Sequence, residues 1–237
     1  MDLSNATVAK FPIKVHLTIF TYGGIAGHTF DCLVDELGYA AMHGVEVHFQ
    51  RVAEDALISR SRSYAASKFL KGPCDVMFML DHDIQCEVGD IIKTCQKAIE
   101  AKAIVGGMYS FRSRGNGHSS RLARRLMRFP TGLDELIPAE YVASGFMAIP
   151  KASIEAVVKH ESVRECLYLD GSPFWDLFRP LVVSSTTFPG KLEYLSEDWS
   201  FCHRAREVGV KQYVYALPKL KHHGDYGYTV EDGIRGN

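Results

Sequence analysis

From Ile13 to Tyr109 the hydrophobic pattern switches repeatedly between a period of two and a period of about 3.6, and that alternation limits the fold more than any single motif does. Ile13–Tyr22 carries β-branched and aromatic residues up to a Gly23-Gly24 break and reads as a strand. Ile25–Met42 reads as a helix: Phe30, Leu33, Val34, Leu37 and Ala41 recur at three- and four-residue steps, and Gly44 supplies a stop. Val45–Val52 sets Val45, Val47 and Phe49 against Glu46, His48 and Gln50, the alternation of a strand. Leu57–Leu70 is a second helix, closed by Lys71-Gly72-Pro73. Asp75–Leu80 is a strand with a continuous apolar run, the pattern of a strand buried on both faces. Val88–Lys102 is a third helix and Ala103–Tyr109 a further strand. Such alternation through short links predicts an α/β, Rossmann-like fold with a mostly parallel sheet flanked by helices. Ligands of such sheets collect at the carboxyl ends of the strands. Here those ends are Thr21-Tyr22, Asp81-His82-Asp83 and Gly106-Gly107.

The second half continues the pattern. Tyr141–Ile149 reads as a strand interrupted at Ser144-Gly145, Lys151–His160 as a helix and Leu181–Phe188 as a strand. Ser196–Val208 reads as a helix with Phe201, Ala205 and Val208 on one face, and Gln212–Leu217 as the final strand. No repeat or linker divides the 237 residues, so a single domain over 1–237 is expected, with 1–12 as an N-terminal tail. Residues 112–128 stand apart, with six arginines (Arg112, Arg114, Arg121, Arg124, Arg125, Arg128) and no acid. With its neighbours this segment, 111–130, reads as a mobile basic loop leading into a short basic helix. It suits solvent, a lid, or contact with an anionic partner or a membrane surface.

Charge narrows the classes. Lys+Arg number 27 and Asp+Glu 28, so a nucleic-acid partner is not expected. No run approaches the roughly 18 apolar residues of a membrane span, and 1–12 lacks a basic-then-apolar signal layout. A cytoplasmic location is the expectation. The six cysteines are scattered, with no CxxC pair, and read as buried free thiols.

Three motifs carry chemistry. Asp81-His82-Asp83 puts two carboxylates at one strand terminus. At about 5 Å and an effective dielectric near 20 they repel by about 3 kcal/mol, which a half-buried strand end must offset with a cation or a proton. Hard oxygen ligands suit Mg²⁺ or Mn²⁺ and, through the ion, phosphate oxygens; the same tripeptide also fits a plain polar turn. Ser196-Glu197-Asp198-Trp199 opens a helix. Ser196 suits an N-cap, and acids in a first turn interact favourably with the helix dipole. The same placement suits a general base. His222-His223-Gly224 follows the expected last strand and offers imidazoles that suit Mn²⁺.

In their order, the strand-end DHD, Gly145 within VASGFMAIPKAS, YLSEDWSFCHRAREVG and HHG resemble the GT-A nucleotide-sugar glycosyltransferases, especially family 2-like members. LISRSRSYAASKFLKGPCDVMFMLDHDI resembles their helix-then-strand approach to the Asp-x-Asp motif. The resemblance runs from about residue 13 to 228. It implies a hexosyltransferase that moves a sugar from a UDP- or GDP-sugar to a hydroxyl of a glycan or other acceptor, with inversion. It implies Mn²⁺ or Mg²⁺ on Asp83, with Asp81 on the ribose or on the ion through water, and His222 as a further ligand with His223 as the fallback. Asp198 becomes the base and Glu197 its acceptor-contacting neighbour. Thr21, Tyr22 and His82 line the donor site, Arg60 or Arg62 faces the base or the diphosphate, and Gly106, Gly107 and Gly145 admit sugar and acceptor. Two departures stand out: Arg62-Ser63 where relatives often have Arg-Asn, and a basic segment with no counterpart. A sugar nucleotidyltransferase is a related alternative, but it needs a basic residue in the loop after the first strand, and 23–28 has no Lys or Arg. A haloacid-dehalogenase-type phosphatase places its Asp-x-Asp nearer the N-terminus.

Overall fold

The computed structural model describes residues 13–53, 55–112, 117–124, 126, 129–185, 188–224 and 226–233. The tail 1–12 and Arg114, Arg125 and Arg128 lie outside the described residues. The chain runs β1 (Lys14–Thr21), α1 (Gly27–Met42), β2 (Glu46–Ala53), α2 (Ile58–Leu70), β3 (Val76–Asp81), β4 (Ile84–Gln85), α3 (Asp90–Ala101) and β5 (Ile104–Gly107). It continues through β6 (Arg121–Leu122), β7 (Leu136–Tyr141), β8 (Phe146–Pro150), α4 (Lys151–Val158), β9 (Glu165–Leu167), β10 (Pro173–Trp175), β11 (Leu181–Ser184) and β12 (Leu192–Leu195). It ends with α5 (Glu197–Glu207), β13 (Gln212–Tyr215), β14 (Lys221–His223) and β15 (Gly227–Tyr228).

The central sheet has eight strands in the order β2-β1-β3-β8-β5-β13-β7-β6. β2, β1, β3, β5, β13 and β6 point one way, and β8 and β7 the other. It is the mostly parallel α/β sheet that the alternation predicts. Both faces are covered, which explains the unbroken apolar run of β3. Val76, Phe78 and Leu80 pack on one side with Leu33 of α1 and Ile92 of α3. Met77 and Met79 pack on the other with Ala66 of α2, Val157 of α4 and Phe201 of α5. All six cysteines are free thiols, and five of them are buried. No helix among the described residues is long and apolar enough to cross a membrane.

Three expectations are corrected. First, α1 turns a different stripe inward. Phe30 and Val34 are each 53% exposed, and the buried positions are Thr29, Cys32, Leu33, Glu36 and Ala40. Polar side chains face in because backbone awaits them there. The Thr29 hydroxyl donates to Ile84 O at 2.9 Å, and Glu36 accepts from Gly89 N at 2.6 Å and Ile92 N at 2.7 Å, capping α3 from a neighbouring helix. Second, the described part of the basic segment forms no helix; Arg121–Leu122 is a strand paired with β7. Third, Gln212–Tyr215 is not the last strand. The chain returns as β14, which pairs antiparallel with β4, setting His222 opposite Ile84, and with β15.

Burial pushes the Glu36 carboxyl up to about 7, against the pull of the two N–H groups it accepts from. A carboxyl raised in the folded state binds more protons there than in the unfolded chain, so its contribution is full at low pH and is lost as pH rises from 4.5 to 7. The stability of the wild type relative to Glu36→Gln therefore falls over that interval, by up to about 3 kcal/mol, in urea unfolding followed by circular dichroism.

Candidate active site

β1 and β3 are parallel neighbours, so Thr21 and Asp81 reach the same edge of the sheet. There Phe20, Thr21, Tyr22, Val52, Asp55, Ile58, Arg62, Asp81, His82, Asp83 and Arg112 line an open cleft of about 340 Å³. A larger cavity, about 780 Å³, lies along Glu87, Phe129, Lys219, Lys221 and Glu231. It holds none of the DHD, Glu-Asp or histidine groups, whereas the smaller cleft is lined by all three residues of Asp81-His82-Asp83.

Arg62 organises the cleft floor. Its side chain is 5% exposed, one Nη donating to Asp81 Oδ1 at 2.6 Å and the other to Glu197. Burial pulls the guanidinium pKa down, but Asp81, Glu197 and Asp198 more than offset it, and the net shift is upward. Burial raises the Glu197 carboxyl from its ordinary value, against Arg62, which lowers it. One guanidinium thus ties the end of β3 to the start of α5, reaching from Arg62 to a Glu197 that lies 135 residues further along the chain. Arg62 lines the cleft with both Nη groups on carboxylates and its buried Nε without a partner. Arg60 is likewise engaged, held bidentate by Asp55 at 2.9 and 2.8 Å beneath the Tyr168 ring.

Asp198 sits in the first turn of α5. Its Oδ1 accepts from the Ser196 hydroxyl and from Trp199 N at 2.8 Å; Oδ2 has only a long contact with Ser144 N, 3.4 Å. The Ser144-Gly145 turn is shared with the DHD end, since Asp81 N donates to Gly145 O at 3.0 Å. A Cβ on Gly145 would meet the Tyr109 hydroxyl and, at 2.9 Å, Asp81 Oδ2, so this turn has to be glycine. Gly106 and Gly107 differ. Their missing side chains leave room for Val142, Phe146 and Leu220, a role in core packing.

β14 brings the histidines in. Asp83 is 5% exposed, and its Oδ2 lies 3.6 Å from His222 Nε2. His222 Nδ1 is 3.0 Å from Ser110 O, a group that only accepts, so Nδ1 carries the proton and Nε2 is left to accept, which it does from Arg112 Nε at 3.1 Å. Burial lowers the His222 pKa from its ordinary 6.5, which keeps the ring neutral at pH 7. A neutral imidazole whose far N–H is anchored on a carbonyl is the arrangement of a metal ligand. Two groups sharing an ion at about 2.1 Å sit about 3 Å apart, so Asp83 and His222 fit one after a small adjustment. His223 instead bonds Gln85 at 2.8 Å and stacks on His28, away from Asp83. Among the described residues no three His, Cys, Asp or Glu side chains are grouped closely enough to hold an ion as they stand.

Two arginines of the basic segment have fixed places that the spacing did not reveal. Arg121 lies 4.4 Å from the Trp199 ring centre and 5.0 Å from that of Tyr141, and pairs with Glu193. It braces α5 beside Asp198. Arg112 enters the cleft at Asp83. Tyr109, whose hydroxyl accepts from Gly145 N at 3.1 Å, is the other group missed; its only signal was its position at a strand end.

No protein-family model and no curated protein matches the sequence. Solved structures match its fold, and two of them illustrate the likeness. A197 from STIV has a TM-score of 0.57 at 15% identity, over 93% of this chain and 92% of that one. GalNAc-T7, whose structure contains UDP, GalNAc and Mn²⁺, has a TM-score of 0.53 at 12% identity, over 96% of this chain but only 46% of that one. The fold is GT-A-like. At such identities the likeness is one of architecture, and residue roles rest on the geometry above.

Replacing Arg62 by Met leaves Asp81 and Glu197 half-buried with no counter-charge. Breaking a buried pair in this way costs about 3–5 kcal/mol. Burial already raises the Glu197 carboxyl, and the variant removes the guanidinium that lowers it, so the loss is larger at pH 8 than at pH 5, as urea melts at the two pH values will measure.

Proposed function

We propose that this chain is a glycosyltransferase, one GT-A domain over 1–237, that moves a hexosyl group from a nucleoside-diphosphate sugar, UDP- or GDP-linked, to an acceptor hydroxyl. The observation that carries the reading is the approach of His222 Nε2 to within 3.6 Å of Asp83 Oδ2, at the edge of a cleft formed by strand ends. The fold likeness to GalNAc-T7 is in keeping with it.

In this reading Phe20, Thr21, Tyr22 and Val52 take the nucleoside and Asp81 the ribose, with His82 beside it. Asp83 and His222 would hold Mn²⁺ or Mg²⁺, with Asp81 reaching it through water. Such an ion, when bound, neutralises charge on the departing diphosphate. Asp198 Oδ2 takes the proton of the acceptor hydroxyl. The hydroxyl oxygen forms the new bond to the anomeric carbon, the bond from that carbon to the phosphate oxygen breaks, and its electron pair leaves on the diphosphate. Attack from the face opposite the leaving group inverts the anomeric centre. Glu197, fixed by Arg62, sets the first turn of α5 and faces the acceptor. General-base assistance is typically worth 10²–10⁴-fold.

Thermal-shift measurements with UDP-, GDP- and dTDP-sugars, with and without Mn²⁺, test the donor and its ion. One nucleotide is expected to stabilise the chain, and only with the metal. Asp83→Asn should remove that stabilisation while the unliganded melt persists. Asp198→Asn should keep donor binding and lower transfer by about 10²–10⁴-fold. An Asp83→Asn chain that still gains metal-dependent stabilisation would sink the assignment.

A further inference from the structure

Arg112 is the first arginine of the basic segment, and its guanidinium stands where Asp83 and His222 converge. One Nη donates to Asp83 Oδ2, and Nε donates to His222 Nε2 at 3.1 Å. These are the two atoms assigned above to a divalent ion. The Ser110 carbonyl has fixed the imidazole tautomer, so His222 has one lone pair to give, and Arg112 takes it. Asp83 is nearly buried whereas the Arg112 side chain is 49% exposed, so the carboxylate stays and the guanidinium is the partner able to leave. The place is also shaped for it. The Arg112 stem lies along Gly224, where a Cβ would come within 3.2 Å of Arg112 Cδ.

We propose that Arg112 is a resident counter-cation that a divalent ion must displace from Asp83 and His222, so that the side chain sets the threshold for metal loading. The inference rests on the metal reading of Asp83 and His222. Two cations cannot share one lone pair and one buried carboxylate oxygen. An ion therefore binds only the fraction of molecules in which the guanidinium has swung away, and its apparent affinity falls by that fraction. The departing arginine returns to water, but Asp83 stays unpaired until an ion takes its place. With the guanidinium in place, the cleft edge keeps its charge balanced.

The test is Mn²⁺ binding to the full chain without nucleotide, by isothermal titration calorimetry. The expected result is binding about five- to tenfold tighter in Arg112→Ala than in the wild type. Arg112→Lys should fall between them, since an ammonium can reach Asp83 but lacks the fork that holds carboxylate and imidazole together. Circular-dichroism melts check that both variants fold. Equal or weaker Mn²⁺ binding in Arg112→Ala, with Asp83→Asn still abolishing it, overturns the displacement and leaves the metal site standing. No Mn²⁺ binding in either the wild type or Arg112→Ala overturns the displacement together with the metal reading beneath it.

Discussion

The structure depends on one buried guanidinium. Arg62 lies between Asp81 and Glu197, and among the described residues no other side chain bonds both the carboxyl end of β3 and the amino end of α5. Both ends concentrate negative charge at the sheet edge, Asp81 and Asp83 from one and Glu197 and Asp198 from the other. Left in a partly dehydrated cleft, these groups would repel one another by several kcal/mol. Arg62 converts the repulsion into a tie, because a planar fork can satisfy two carboxylates at once. The rigidity has a functional side. Asp81 and Asp198 flank the same Ser144-Gly145 turn, and a fixed separation between β3 and α5 fixes what can sit between them.

The second constraint is topological. A parallel sheet brings Thr21 and Asp81 together automatically, because β1 and β3 are neighbours that end at the same edge. It does not deliver His222, which lies 139 residues after Asp83. Delivery comes from β4, only two residues long and placed directly after the DHD, with which β14 pairs. The register Ile84–His222 leaves Asp83 and His222 one step apart, and His223 N donates to Asp83 O at 2.8 Å to close the pairing. The small three-stranded sheet is thus the device that assembles the site, while the large sheet supplies its floor.

What was legible in the sequence followed from period and burial. β1, α1, β2, α2, β3, α3 and β5 are readable because a two-sided sheet demands unbroken apolar strands and its helices demand spaced apolar residues. The inward stripe of α1 was not readable. Glu36 and Thr29 are buried there because backbone groups of α3 and β4 need partners, and hydrophobicity is blind to that demand. Gly106 and Gly107 misled for a related reason. A glycine that admits a ligand and one that admits Phe146 or Leu220 look alike until the neighbours are known. The six arginines carried the deepest ambiguity. Their shared sign suggested a shared role, whereas Arg121 packs on Trp199 and Arg112 on Asp83 and His222, two separate tasks within one segment.

The two cleft guanidiniums are not equivalent, and their burial says why. Arg62 is enclosed, and freeing it would strand two carboxylates, so it acts as structure under any condition the fold survives. Arg112 is half in water and holds its carboxylate from the solvent side, so it is the guanidinium of the two that can leave without opening the core. Asp198 shows the same asymmetry within one side chain. Its Oδ1 is saturated by the Ser196 hydroxyl and the Trp199 amide, which hold the group still. Its Oδ2 meets only the long Ser144 contact and keeps a lone pair free. A site that must hold its geometry and still exchange a proton and an ion needs this division, with saturated atoms fixing position and under-bonded atoms left to react. Among the described residues that meet at this sheet edge, Asp198 Oδ2 is the under-bonded atom, whereas Asp83 Oδ2 and His222 Nε2 both accept from Arg112 and open only when that guanidinium leaves.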